Sequence, residues 1–346
     1  MLDKKDSPYM EKLFLNTLLG KKSEQTPIWF MRQAGRYLPE YKQVRSTTKN
    51  FLEFCYSPQK AAEVTLQPIE RFDFDAAIIF SDILVIPDAL GMDVRFVQNE
   101  GPKLEALQGQ ACVDKLNYDQ EFLSPVYEAI KLTRSDLCQS KALIGFAGAP
   151  WTLATYMIEG GGSKDYLKTK TLSYAQPALF AKLIDKLTDA VSKHLIAQVE
   201  AGVDALQIFD SWAGVLTQEQ FSKWSIEPTR KIVENVRKVF PDIPIIGFPK
   251  GVGVFYKDYA EQTGVNAISF DQHMSASWIK DNIDITVQGN LDPVQLMTDT
   301  DGAVKYARQL IDLMQDKPFI FNLGHGILQH TPIENVEAVL AEVKKL

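Results

Sequence analysis

Three arginines, Arg32, Arg36 and Arg45, fall within the fifteen residues MRQAGRYLPEYKQVR (31–45). The whole chain has nine arginines and a formal net charge of -7. Guanidinium is costly to bury without an anion. The cluster therefore either pairs with carboxylates of the chain or awaits a ligand that brings negative charge. Arg32 and Arg36 stand four apart, so on a helical turn they share a face and make a two-pronged clamp for carboxylates. Internal ion pairing, Arg36 with Glu40 at helical spacing, is the competing reading. Arg45 lies in more polar sequence and suits the surface.

A second set of residues could do chemistry with such a ligand. Asp82 closes AAIIFSD (76–82) with apolar residues on both sides. Desolvation there would raise its pKa, and nearby donors or cations would lower it. Its carboxylate can accept N–H groups or stabilise a developing cation; a helix N-cap is the plainer reading. Asp210 and Ser211 end a similar run, and for Asp210 the cap reading is preferred. His325 stands between Gly324 and Gly326 in NLGHGI, a pattern for a tight turn close to a ligand. Tyr156 offers a phenol inside GFAGAPWTLATYMIEGGGS (145–163). The triple glycine 160–162 lacks the Lys-Ser/Thr of a P-loop and reads as a mobile loop. Lys250, in GFPKG, could in principle form a Schiff base. His194 falls on a long helix and reads as structural.

The elements that must position these groups follow from short apolar runs, separated by segments of helical period. The runs are 27–31, 76–82, 142–148, 205–211, 244–249, 267–271, 285–290 and 319–325. Their continuous apolar character fits strands buried on both faces of a parallel sheet. Between them, 176–202 carries apolar residues at three- and four-residue steps and stops at Gly202. The segment 217–244 repeats the pattern and stops at Pro241 and Pro244. Eight βα units in order predict an α/β fold, a single (β/α)8 barrel domain over 1–346. An open doubly wound sheet is the rival, but no GxGxxG follows the first run. The long connections 32–75 and 83–141 predict extra loops and helices over the barrel mouth. In such a barrel, residues at the C-terminal strand ends carry the chemistry. Those ends include Arg32, Asp82, Ser211, Lys250 and His325.

Composition narrows the function further. The 346 residues, 45% hydrophobic and 23% charged, can bury a large core. The acidic balance argues against nucleic-acid binding. No run approaches the roughly 18 apolar residues of a membrane span. The N-terminus has the features of neither a signal nor a transit peptide, which predicts a cytoplasmic protein. Cys55, Cys112 and Cys138 form no CxxC and suggest no disulfide framework. With four histidines they make no convincing metal-ligand set, so no metal is expected.

The blocks PIWFMRQAGRYLPEY, FDAAIIFSDIL, GFAGAPWTLATYMIEGGGS, QGNLDP and NLGHGI together closely resemble the uroporphyrinogen decarboxylases. The resemblance runs from about residue 8 to the C-terminus. It implies a cytoplasmic, usually homodimeric, cofactor-free and metal-free enzyme of haem biosynthesis. It also implies removal of four acetate carboxyls from uroporphyrinogen III as CO2, giving coproporphyrinogen III. The family's substrate-binding residues carry over to Arg32, Gln33, Ala34, Gly35, Arg36, Phe51, Asp82, Tyr156, Ser211 and His325, with Asp82 and Arg32 as the catalytic pair. Most decarboxylations borrow an electron sink from a cofactor; a pyrrole protonated beside its acetate arm supplies its own. A bound water and an arginine–water relay are alternative proton sources. Two other readings go with the scaffold: a corrinoid-linked methyltransferase, and a non-catalytic tetrapyrrole carrier. Neither an H-x-C near a late strand nor a cysteine beyond Cys138 is present for the former.

Overall fold

The apolar runs become short strands because helices cover their outer face and side chains fill their inner face, leaving no polar side to show as alternation. The computed structural model describes residues 12–97 and 100–345. In chain order the strands are β1 (Ala76–Ile78), β2 (Val94–Val97), β3 (Gly101–Leu104), β4 (Ala142–Gly148), β5 (Ala205–Asp210), β6 (Ile245–Pro249), β7 (Ala267–Ser269), β8 (Thr286–Leu291) and β9 (Phe319–Leu323). β2 and β3 pair with each other as an antiparallel hairpin. The other seven form one parallel sheet in the order β1-β4-β5-β6-β7-β8-β9. Helical connections link successive strands, and the sheet curls.

The expected strand at 27–31 differs. Ile28 makes only an isolated parallel bridge with Phe321. The segment still bonds to both edges of the sheet. Phe321 N–H donates to the Pro27 carbonyl (2.9 Å), and Asp75 N–H donates to that of Ile28 (3.0 Å). On the β1 side, Ile28 N–H donates to the Asp75 carboxylate (2.8 Å), where a ladder would offer a backbone carbonyl. Pro27 has no N–H to give. These two departures interrupt a regular ladder, so seven strands stand where eight were expected.

Bonds across the inside of the curl fix which side chains point inward. Trp29 Nε1 donates to Gln288 Oε1 (2.8 Å), and Gln288 Nε2 donates to Gln207 Oε1 and Ser269 Oγ (3.3 Å each). β5 and β8 are not neighbours in the sheet, so Gln207 and Gln288 meet through the interior. Strand alternation then places Phe209 inward and Asp210 toward the helices.

The helix expected over 176–202 runs Pro177–Ala201, and Gly202 ends it in the left-handed region (φ +116°). It buries Phe180, Leu183, Leu187, Val191 and Leu195, each worth about 1.5–3 kcal/mol when fully withdrawn from water. The next helical stretch starts at Thr217, whose side chain accepts from Gln220 N–H. It passes through a π-helical turn, Ser222–Ile226, and continues over Glu227–Val239 to stop before Pro241. The long connections hold helices Pro39–Ser46, Phe51–Cys55 and Pro58–Phe72, then the β2–β3 hairpin and helices Gly109–Lys115 and Ser124–Asp136. Among the described residues, no helix is long and apolar enough to cross a membrane.

Candidate active site

The loop after residue 31 is held from below. Gln33 is fully buried; its Nε2 donates to the Ala76 carbonyl (3.0 Å) and its Oε1 accepts from Phe30 N–H (3.2 Å). Gln33 was expected to touch substrate. Its side chain ties the arginine loop to β1 by satisfying both backbone positions. Ile327 N–H donates to the Met31 carbonyl (2.9 Å), which brings the 324–327 turn under the loop. Arg32 takes a left-handed backbone (φ 62°). Its stem crosses Gly326, where a Cβ would come within 2.7 Å of Arg32 Cγ. Gly35 is constrained in the same loop: a Cβ there would meet the Arg32 carbonyl at 3.0 Å. Ala34 is half-buried beside them.

Arg32 and Arg36 are exposed, and neither makes a hydrogen bond or ion pair among the described residues. Glu40, the alternative partner of Arg36, is taken by Arg71 in a two-point contact (2.7 and 3.0 Å). Arg45 donates to the Thr48 carbonyl and hydroxyl (3.1 and 2.8 Å), so it stabilises its own loop.

Asp82 lies just beyond β1. Its Oδ1 accepts from Leu84 N–H (2.9 Å), an Asx turn rather than a cap on the Val85–Ala89 helix. Its Oδ2 has no hydrogen bond among the described residues. Burial pushes its pKa up to about 6, against the lowering effects of the Leu84 N–H and of Arg32. Tyr156 is the one residue between 150 and 158 that is not fully buried. Burial and then the Asp82 charge raise its phenol above its ordinary value. It is therefore a neutral donor at physiological pH.

Alternation along β5 separates two neighbours that the sequence left together. Asp210 points toward the helices and is fully buried, accepting from the Thr152 and Ser225 hydroxyls (2.6 Å each). Burial raises its pKa to about 6. It staples two helices to the strand and is not the expected cap. Ser211, half-buried and free of hydrogen bonds among the described residues, continues the inward face of Gln207 and Phe209. His325 follows β9. Burial, then Arg32 and Lys250, push its pKa down to about 3, so its imidazole is neutral. Phe51 packs on Phe80 (5.8 Å between centroids) and on Phe96 of the hairpin (4.7 Å).

Sequence reasoning missed the floor. Phe146, Phe209, Phe248 and His325 follow one another at centroid separations of 5.6, 6.1 and 6.3 Å. Phe146 and Phe209 are half-exposed, although each sits in a strand whose other residues are buried. Nothing in a continuous apolar run marks which member faces an opening. The triple glycine also differs from expectation. Leu104 N–H donates to the Gly160 carbonyl (3.1 Å), and Gly161 bridges Lys103. A Cβ on Gly161 would lie 2.8 Å from the Pro102 carbonyl. These glycines let the hairpin approach and tie to it a segment that reads as a mobile loop.

His194 is structural, as expected: its Nδ1 lies 3.0 Å from the Tyr127 hydroxyl, and burial alone lowers its pKa to about 3. Among the described residues, no group of three or more His, Cys, Asp or Glu side chains could hold a metal ion. A cleft of about 740 Å³ on the outer helices, bordered by Glu63, Glu70, Asp136, Glu337 and the Glu40–Arg71 pair, shares none of the strand-end residues. The strand-end constellation thus combines free guanidinium groups, a carboxylate with an open oxygen, a neutral phenol and imidazole, and an aromatic floor. It can bind a polyanion with a flat apolar body and stabilise positive charge that develops on that body.

The sequence pattern described as "Uroporphyrinogen decarboxylase (URO-D)" matches residues 10–346. A protein named uroporphyrinogen decarboxylase from Rickettsia rickettsii is 48% identical over 335 residues, 96% of each chain. One of the same name from Rhodospirillum rubrum is 46% identical over 338 residues, covering 96% of this chain and 97% of its own. Among solved structures, a methyltransferase from Methanosarcina mazei superposes with a TM-score of 0.80 at 20% identity, covering 96% of this chain and 97% of its own. At that identity the likeness speaks for the fold alone.

Proposed function

The chain belongs to the uroporphyrinogen decarboxylase family, and from that premise we propose how its strand-end mouth carries out the reaction. The protein is a carboxy-lyase of porphyrin biosynthesis acting on uroporphyrinogen. Each of the four acetate arms of uroporphyrinogen III exchanges its carboxyl for a proton, giving coproporphyrinogen III and four CO2.

The observation that carries the assignment of roles is the state of Asp82: half-buried, one oxygen open, close enough to Arg32 to feel its charge, with its pKa raised to about 6. The open Oδ2 accepts pyrrole N–H groups. Protonation of the ring carbon beside an acetate arm puts positive charge on that pyrrole. A carboxylate a few ångströms away, in a site with little water, stabilises that charge by several kcal/mol. The C–C bond then breaks. CO2 leaves, and the electron pair returns to the ring as an exocyclic methylene. A proton adds to the methylene to make the methyl group, and the ring carbon loses its proton to restore the pyrrole. Arg32 and Arg36 take carboxylates, Arg32 also holding the arm over Asp82. Tyr156, Ser211 and His325 orient the remaining arms as neutral donors or acceptors. Phe146 and Phe209 support the macrocycle from below, and Phe51 borders it. Gln33, Ala34 and Gly35 shape the loop that presents the arginines. The reaction asks for no cofactor and no metal, since the pyrrole is the electron sink.

The Pro27–Met31 segment bonds to β9 and to Asp75 beside β1, which supports an eight-unit (β/α)8 barrel over one domain, 1–346. A homodimer in the cytoplasm completes the proposal. Anaerobic incubation with reduced uroporphyrinogen, resolving partly decarboxylated products over time, tests the function. Binding without release of CO2 would leave the carrier reading instead. Sedimentation of the purified chain tests the dimer.

A further inference from the structure

Lys250 stands at the end of β6, the middle strand of the seven. It is thus as far in sheet order as any strand end can be from the two edges that the arginine-bearing segment joins. Its backbone is fixed on both sides. Lys250 N–H donates to the Asp210 carbonyl (3.1 Å), and its own carbonyl accepts from Gly214 N–H (3.0 Å). The next residue, Gly251, takes φ +80°, and its N–H donates to the buried Asp271 carboxylate (2.6 Å). Lys250 lies two residues beyond Phe248, whose ring faces His325 and Phe209 in the floor. Alternation therefore carries its side chain toward the same mouth. The residue is half-buried, and its ammonium group has no hydrogen bond or ion pair among the described residues. Its charge reaches His325, whose imidazole also feels Arg32. Three other basic groups between the strands are engaged: Arg45 with Thr48, Lys170 with the Val215 carbonyl, Arg95 with Asp93.

We propose that Lys250 anchors a substrate carboxylate on the side of the mouth opposite Arg32 and Arg36. Nothing among the described residues neutralises this half-enclosed ammonium, and leaving such a charge unpaired is unfavourable. A ligand with carboxylates around its whole rim satisfies both poles at once. The substrate arms end in carboxylates, not aldehydes or ketones, so an amine at this point forms an ion pair and no Schiff base. The lysine is then a binding group whose reach sets how the macrocycle sits between the poles, and hence which arm lies over Asp82.

The proposal rests on the tetrapyrrole reading of the mouth, but its test separates the two. Uroporphyrin, the oxidised octacarboxylate, is titrated by fluorescence into the full-length wild type, K250M and K250R. Turnover of uroporphyrinogen is followed in parallel, with thermal melts as a control. K250M should weaken uroporphyrin binding by about tenfold to a hundredfold, as expected for loss of a charge-assisted bond. It should also make binding less sensitive to salt, raise KM to match, and keep kcat within about threefold. K250R should recover most of the affinity and the salt dependence. Unchanged binding in a well-folded K250M would overturn the assignment. So would a collapse of kcat with binding intact, which would make the lysine a proton donor. If the wild type binds uroporphyrin through Lys250 yet releases no CO2 from the reduced substrate, the enzymatic reading fails and the anchor stands.

Discussion

Replacing Asp82 with asparagine should make the protein more stable and nearly inactive at once. Asparagine keeps an oxygen for the Leu84 N–H (2.9 Å in the parent) and removes the charge. The carboxyl's pKa rises from 3.8 to about 6 because burial penalises the ionised form more than Leu84 N–H and Arg32 favour it. At 1.36 kcal/mol per unit, that shift is worth about 3 kcal/mol. Contact with solvent in the open mouth reduces the figure to about 2 kcal/mol. For an acid whose folded pKa lies above its unfolded value, the cost is fully present above about pH 6. It is relieved as pH falls from there toward 3.8. Melting at pH 8 should therefore give Asp82→Asn a Tm roughly 2 to 4 °C above wild type, with the gap closing by about pH 4. Turnover should fall by on the order of a hundredfold or more, the scale of losing one preorganised charge partner of a transition state. In the wild type, kcat/KM should decline below about pH 6 as Asp82 takes a proton. A variant that is less stable at pH 8, or one that keeps near-normal turnover on reduced uroporphyrinogen, would refute the argument. The first result would mean that the carboxylate is well solvated or paired; the second, that its charge is not used.

Arg36→Met should raise KM by about tenfold, with kcat little changed. Arg36→Lys should recover only part of that, because an ammonium cannot make the two-point contact of a guanidinium; full recovery would argue for simple charge attraction. Asp210→Asn should gain less stability at pH 8 than Asp82→Asn, because loss of a hydroxyl contact to Thr152 or Ser225, about 1–3 kcal/mol, offsets relief of a similar burial cost. Its kcat/KM should stay within threefold; a selective loss of turnover in a stable variant would place Asp210 in the chemistry. Gly326→Ala should displace the Arg32 stem that crosses it, cutting kcat/KM by at least about tenfold while Tm, read by calorimetry, hardly moves; unaltered kinetics would show that the stem has room to shift.

Much of this was legible in the sequence, and what was not has physical reasons. The helix ending at Gly202 could be read because its period and its left-handed terminator are both local properties. Asp82, Ser211 and His325 could be placed at strand ends because the apolar runs stop there. The contrast between Asp210 and Ser211 could not be read, since it depends on which face of β5 looks inward, and a strand buried on both faces hides its own phase. The anchoring bonds of Gln33 were hidden for a related reason. Its position inside the arginine block resembles a binding residue, yet its amide completes backbone bonds from Phe30 and Ala76. The segment 27–31 has the composition of a strand. It loses the regular ladder because Asp75, 47 residues further on, offers a side chain where a carbonyl was needed.

The charge plan explains how a chain of net charge -7 can hold a polyanion. What matters is not how many acids the protein carries but which of them can reach the mouth. Glu40 is held by Arg71. Asp210 is turned outward onto hydroxyls, and Asp271 is closed by Gly251 N–H, His273 N–H and the Tyr256 hydroxyl. Asp204 is occupied by Lys12 and Arg134. With these acids engaged elsewhere, Arg32, Arg36 and Lys250 keep their charge for a ligand. Asp82 is left with an open oxygen near them and makes no ion pair with Arg32 among the described residues. An ion pair between the two would quench both the clamp and the cation-stabilising anion. Holding them near one another but unbonded preserves both, at the cost in stability that Asp82→Asn should reveal.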